Sequence, residues 1–85
     1  MTRSEIFTVV KTNIRNIVEE AHDHEIEEEM SMSDLGADSL QIVEVISRAM
    51  KDLRLRVPRT DLMNARNLKE LVDLFERAQI NPITR

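Results

Sequence analysis

A chain of 85 residues that is 41% hydrophobic and 33% charged fits one small domain with a single core and leaves no room for a large multidomain enzyme. The absence of cysteine excludes a disulfide framework and thiolate-held zinc or iron–sulfur centres. One glycine, two phenylalanines and no tyrosine or tryptophan argue against an all-β sandwich, and a net charge of −4 disfavours nucleic acid and anionic membranes unless charge is segregated along the chain.

The N-terminus lacks the basic-then-apolar pattern of a signal peptide, and no run approaches the roughly 20 apolar residues of a membrane span, so a cytoplasmic location and no membrane partner are expected. From residue 4 to about 20, Ile6, Val9, Val10, Ile14, Ile17 and Val18 recur in threes and fours and predict an amphipathic helix. Thr2 and Glu5 have the spacing of a capping box at its start. Glu19 and Glu20 then fall at the negative end of the helix dipole, so some other feature must require acid there.

Between Glu19 and Asp38 stand nine acids and no lysine or arginine, with apolar residues thinned to Ala21, Ile26, Met30, Met32, Leu35 and Ala37. This reads as a long loop, and an unstructured stretch of that length in a small domain is usually functional. Its Glu27–Glu29 run reads as a solvated acidic connection.

Helicity resumes at Ser39 and runs to about Leu53. At about 100° per residue, Ile42, Val45, Ile46, Ala49 and Leu53 fall on one stripe that must face the core. Leu40, Val43 and Met50 fall with Ser47 on a neighbouring stripe, and Gln41, Glu44, Arg48, Lys51 and Asp52 make the polar side. Either the other helices bury the second stripe or a partner does. Pro58 pushes Val57 out of helical geometry, so residues 54–58 form an extended link. Residues 60–64 can make one short helical turn. Asn67 then caps a last helix with Glu70 at its third position, and Leu68, Leu71, Val72, Phe75 and Ala78 make its apolar stripe. Asn81-Pro82 closes it. The expected architecture is all-α: a four-helix bundle of three long helices and one short helix with a long first loop, in a single domain over residues 1–78 and a frayed tail over 79–85.

The segment Asp34-Leu-Gly-Ala-Asp-Ser-Leu40 concentrates the functional signals. Gly36 allows a tight or left-handed turn just before a helix, Asp38 or Ser39 can cap that helix, and Gln41 can answer from the third position after Asp38. A cap needs one polar residue; here a turn, a serine and an extra apolar stripe coincide. Ser39 lacks the context of a nucleophile elbow, because Gln41 occupies the position that needs glycine and no strand precedes it. No catalytic residue is therefore assigned. His22-Asp23-His24 carries ligand chemistry for a divalent metal, but two histidines separated by one residue build no closed site, and a solvated loop is the plainer reading. Six basic residues (Arg48, Lys51, Arg54, Arg56, Arg59 and Arg66) against Asp52 and Asp61 leave residues 47–66 at +4, opposite the −9 of residues 19–38. A DNA reader would pair such charge with polar base-reading residues on an exposed helix face, whereas this chain offers Leu40, Val43 and Met50, so intramolecular pairing or protein contact is expected instead of nucleic acid.

Asp34-Leu-Gly-Ala-Asp-Ser-Leu40 resembles the prosthetic-group attachment motif of acyl carrier proteins. The likeness continues through Val43-Glu44-Val45-Ile46, Val57-Pro58 and Leu71-Val-Asp-Leu-Phe75, and covers residues 4–78 in the same order and spacing. It implies a carrier that is not itself an enzyme. Ser39 would receive 4′-phosphopantetheine from coenzyme A through a phosphopantetheinyl transferase, with Asp38 and Leu40 flanking the attachment point. The cofactor would bring the thiol that this chain lacks and hold acyl groups on it as thioesters. An anionic phosphate at the start of the Ser39 helix would meet free backbone donors and the positive dipole end. Leu40, Val43 and Glu44 match the family's docking positions, which extends the expected partner surface along the stripe through Ser47 and Met50. The expected partners are an acyltransferase, a ketosynthase or related biosynthetic enzymes, visited by a monomeric carrier.

Gln41, Arg48, Met50 and Lys51 depart from the acidic helix of the fatty-acid members. With Met50-Lys-Asp-Leu-Arg-Leu-Arg-Val-Pro58, the motif looks more like free-standing carriers of bacterial polyketide pathways, and among them like donor carriers that supply acetyl groups for β-branching. Ala37-Asp38 before the serine fits acyl carriers better than peptidyl carriers. The rival from another class is an unmodified helical adaptor that binds partner proteins through its acidic and basic poles.

Overall fold

The computed structural model describes residues 1–80. Its elements run α1 (Arg3–Ile17), a 3₁₀ turn (Glu19–Ala21), α2 (Ser39–Leu53), α3 (Arg59–Met63) and α4 (Leu68–Ile80). The all-helical expectation is met, with α1 packed against both α2 and α4 and with α3 bridging α2 and α4. No described helix is long and apolar enough to cross a membrane.

Thr2 starts α1 with a full capping box: its hydroxyl accepts from the Glu5 N–H at 3.1 Å, and the Glu5 carboxylate accepts from the Thr2 N–H at 2.7 Å. The bond from the Thr2 backbone foremost, with the Thr2 side chain beside it, holds the Glu5 carboxyl below its ordinary value. The helix ends at Ile17, short of the expected residue 20. Val18 turns to φ −100°, ψ 100° with its side chain buried, and Ile17 and Val9 are only half-buried against the core. This resolves the puzzle of Glu19 and Glu20, which open a new 3₁₀ turn, where acid suits the positive end, while Arg15 occupies the last turn of α1.

The long first loop is not a solvated connection. Ala21, Ile26, Met32 and Leu35 are buried in the common core. Its middle is tied to the start of α4, where free amides need acceptors: the Leu68 N–H donates to the Met30 carbonyl at 2.9 Å and the Lys69 N–H to the Glu28 carbonyl at 2.8 Å. Glu28 itself departs from the solvated reading of the Glu27–Glu29 run, because its carboxylate accepts from Arg3 at 2.6 Å. The same guanidinium also pairs with Asp73 and Glu76 of α4, so one residue of α1 clasps loop and last helix together.

On α2, Val45, Ile46, Ala49 and Leu53 are buried as the stripe requires, and Ile42 is only half-buried against the core. Arg54 ends the helix in the left-handed conformation, φ 57°, ψ 41°, with its N–H on the Lys51 carbonyl at 3.2 Å and the Leu55 N–H on the Met50 carbonyl at 3.1 Å. The short helix begins one residue earlier than expected, at Arg59 behind Pro58. On α4, Asn67 caps through its Oδ1, which accepts from the Glu70 N–H at 2.9 Å, and Leu68, Leu71, Val72, Phe75 and Ala78 are all buried. The helix continues through Gln79 and Ile80, and the Gln79 side chain donates to the Met1 carbonyl at 2.7 Å and accepts from its ammonium at 2.8 Å. Residues 81–85 of the expected tail lie outside the described residues.

Candidate functional site

The turn before α2 is organised by its own side chains. The Ser31 N–H donates to Asp34 Oδ2 at 3.0 Å and the Asp34 N–H to Ser31 Oγ at 3.0 Å, a reciprocal pair that closes residues 31–34. The amides of Leu35 and Ala37 donate to the Met32 carbonyl, and that of Gly36 to Ser33, each at 3.0 Å. Buried Met32 and Leu35 anchor the turn from below. Gly36 sits at φ +93°, where L side chains are rarely found, and a Cβ there would lie 2.9 Å from Glu20 Cδ and 3.1 Å from Glu20 Cβ. Glu20 is therefore packed over the open face of the glycine, a contact that the sequence pattern did not reveal.

Asp38 rather than Ser39 is the cap. Its Oδ1 accepts from the Gln41 N–H at 2.8 Å, and its own N–H donates to Gln41 Oε1 at 3.0 Å, while Gln41 Nε2 reaches back to the Ile17 carbonyl at 3.3 Å. Capping thus commits Asp38 and Gln41 and leaves Ser39, at the first helical position, with an exposed side chain. The Gln41 and Ile42 amides are taken by Asp38, so the outward donors of the first turn are those of Ser39 and Leu40. An anionic group on Ser39 would meet these donors and the positive end of a 15-residue helix. The residues present fit a phosphodiester at that oxygen.

The second stripe of α2 divides. Leu40 is 81% exposed, Val43 and Ser47 are half-buried, and Glu44 is exposed. Met50 differs from the stripe reading because it packs against the core. Ser47 Oγ accepts from Arg59 Nη2 at 3.1 Å, which brings α3 onto this face. Met63, to which the sequence reading gave no role, is 41% exposed at the rim of a cavity of about 340 Å³ that also takes in Ser31, Ser33, Ile42 and Leu71. An apolar residue in a short helix with no place in the core stripe was the available signal.

The two charge poles are not paired with each other among the described residues. Arg48 bonds Glu44 at 3.2 Å and Arg66 bonds Glu70 at 3.0 Å, both within one helical turn or its cap, and Glu28 pairs with Arg3, outside the basic segment. His22 and His24 are both exposed, and among the described residues no three histidine or carboxylate side chains converge as a metal site.

Residues 12–75 match the family described as phosphopantetheine attachment site. The chain is 36% identical over 80 residues to the polyketide biosynthesis acyl-carrier-protein AcpK of Bacillus subtilis (strain 168), covering 93% of this chain and 98% of that protein. It is also similar to a solved chain from the crystal structure of the curacin biosynthetic pathway HMG synthase in complex with acetyl donor-ACP. There the TM-score is 0.80 with 37% identity, over 88% of this chain and 96% of that one.

Proposed function

This chain belongs to the phosphopantetheine attachment family as an acyl carrier protein of polyketide biosynthesis, used by separate enzymes and not itself a catalyst, and we propose that Ser39 is its attachment residue. The observation that carries this is the division of labour at the start of α2: Asp38 does the capping, so the exposed Ser39 hydroxyl is left free for modification. Covalently bound 4′-phosphopantetheine supplies a terminal thiol on which acyl groups ride as thioesters. The chain's own part is to hold the serine on a rigid turn, to offer the Ser39 and Leu40 amides to the phosphate, and to present Leu40, Val43, Glu44 and Ser47 beside it. Asp38 orients the helix start, and its negative charge next to the serine serves recognition by the transferase.

Within polyketide biosynthesis the proposed role is that of an acetyl donor to an HMG synthase, supported by likeness to a carrier bound to such an enzyme. A phosphopantetheinyl transferase loads the chain, which acts as a monomer in the cytoplasm, and the working domain runs from residue 1 through the end of α4. The unmodified-adaptor reading is not favoured for a member of this family.

The test is intact mass after incubation with coenzyme A and a promiscuous phosphopantetheinyl transferase. The wild-type chain gains one phosphopantetheine and Ser39→Ala gains none. A mass increase that survives Ser39→Ala, or none in the wild type with several transferases, refutes the assignment.

A further inference from the structure

Gln41 stands apart from the rest of the polar side of α2. Glu44, Arg48, Lys51 and Asp52 are exposed there, whereas Gln41 is half-buried and turned toward the end of α1. Its N–H and both side-chain polar atoms have partners: the N–H donates to Asp38 Oδ1 at 2.8 Å, Oε1 accepts from the Asp38 N–H at 3.0 Å, and Nε2 donates to the Ile17 carbonyl at 3.3 Å. The starts of α1 and α4 have glutamate at the equivalent position, Glu5 and Glu70. Those carboxylates accept backbone N–H groups of their own helix start and reach no other helix.

The Ile17 carbonyl needs a donor from elsewhere. α1 stops at Ile17, and the turn that follows bonds the Val18, Ala21 and His22 amides to the Ile14, Val18 and Glu19 carbonyls. A carbonyl in the last turn of a helix has no intrahelical partner. A capping box is met by glutamate as well as by glutamine, but the reach to Ile17 is not. At neutral pH a glutamate would set a carboxylate, which only accepts, against the Ile17 oxygen, and asparagine is one methylene too short. Glutamine joins an acceptor and a donor at the needed length. Ser39 is thereby held between two ties to the same few residues: Glu20 packed over Gly36 before it, and Gln41 on Ile17 after it.

We infer that Gln41 is a positioning residue for the attachment reaction, whose bond to Ile17 sets the first turn of α2 against the end of α1 and fixes the direction of the Ser39 hydroxyl. The inference rests on the assignment of Ser39 above. In the transfer the Ser39 oxygen gives up its proton to the transferase and bonds the pantetheine-side phosphorus of coenzyme A. The pyrophosphate P–O bond breaks as adenosine 3′,5′-bisphosphate leaves. An attacking oxygen misplaced by about 1 Å can cost about a hundredfold in rate. The tie leaves the exposed side chains of Leu40 and Glu44 untouched, so its loss falls on the reacting step and not on binding of the chain by the transferase.

The test follows phosphopantetheine transfer from coenzyme A to the full chain by intact mass. The transferase is in excess, so that the bond-forming step is read, and the temperature is one at which circular dichroism shows every variant folded. Gln41→Glu keeps the acceptor for Asp38 and loses the donor for Ile17. It should lower the limiting rate about tenfold and leave the half-saturating transferase concentration within about twofold. Gln41→Met, with neither group, should fall at least as far. Thr2→Ala removes the hydroxyl cap at the opposite end of α1, so it should lower Tm and keep the wild-type limiting rate. NMR relaxation should show the Ser39 amide more mobile in Gln41→Glu than in the wild type, with Val45 and Ile46 unchanged. Wild-type limiting rates in both Gln41 variants, a loss confined to transferase binding, or an equal fall in Thr2→Ala would overturn the inference. A mass gain that survives Ser39→Ala would instead overturn the attachment reading itself.

Discussion

Replacing Gly36 with alanine probes the turn that positions Ser39. The backbone at φ +93° lies where an L residue is strained, at a cost of about 1–3 kcal/mol. The added Cβ also meets Glu20, whose Cδ and Oε2 can swing away, but whose Cβ at 3.1 Å belongs to the 3₁₀ turn and must give by a few tenths of an ångström. Alanine partly offsets this by restricting the unfolded chain, an effect of about 0.4–1 kcal/mol. The net expectation is a loss of about 1–2 kcal/mol, which for a domain of this size lowers Tm by roughly 4–8 °C per kcal/mol. A double-mutant cycle with Glu20→Ala, followed by urea denaturation, separates the two causes. Alanine at 20 removes Cδ and Oε2 but keeps Cβ, so the cycle should show a coupling below about 1 kcal/mol and most of the loss should remain. A Gly36→Ala chain as stable as wild type, or complete rescue by Glu20→Ala, would refute backbone strain as the reason for glycine.

Arg54→Gly should stabilise the chain by about 0.5–1 kcal/mol, because glycine adopts the left-handed cap without the steric cost that arginine bears and keeps both backbone hydrogen bonds there. Thermal denaturation reads this directly, and no gain in Tm would count against it. Glu5 and Glu70 are both held below the ordinary carboxyl value of 4.5, Glu70 chiefly by the hydrogen bond from the Arg66 backbone. Stability from a depressed carboxyl is fully present above its unfolded pKa and is lost as pH falls through the folded value, so both caps weaken below about pH 4.5. Glu5→Gln with Glu70→Gln should flatten the acid limb of a stability–pH profile, and an unchanged limb would refute that origin.

The candidate site was largely legible in the residues because its devices are local. Asp38 and Gln41 act across three positions, Gly36 bends the chain where it stands, and Leu40 follows the serine directly. What was not legible depends on residues far apart. Arg3 lies 25 positions from Glu28 and 70 from Asp73, so the Glu27–Glu29 run looked merely solvated. Glu20 packs over Gly36 only because α1 stops at Ile17, and buried Asn13 finds Asp52 only across the α1–α2 contact.

Periodicity and capping by themselves determined four helices, their core stripes and the turn before Ser39, since each is written within one or two helical turns of sequence. Tertiary packing decided which half of the second α2 stripe stays outside. Met50 is drawn onto the core, while Leu40 and Val43 remain on the outward side and Arg59 arrives from α3. A helix carries its pattern in its own residues, but the burial of each face depends on which neighbours the whole chain brings against it.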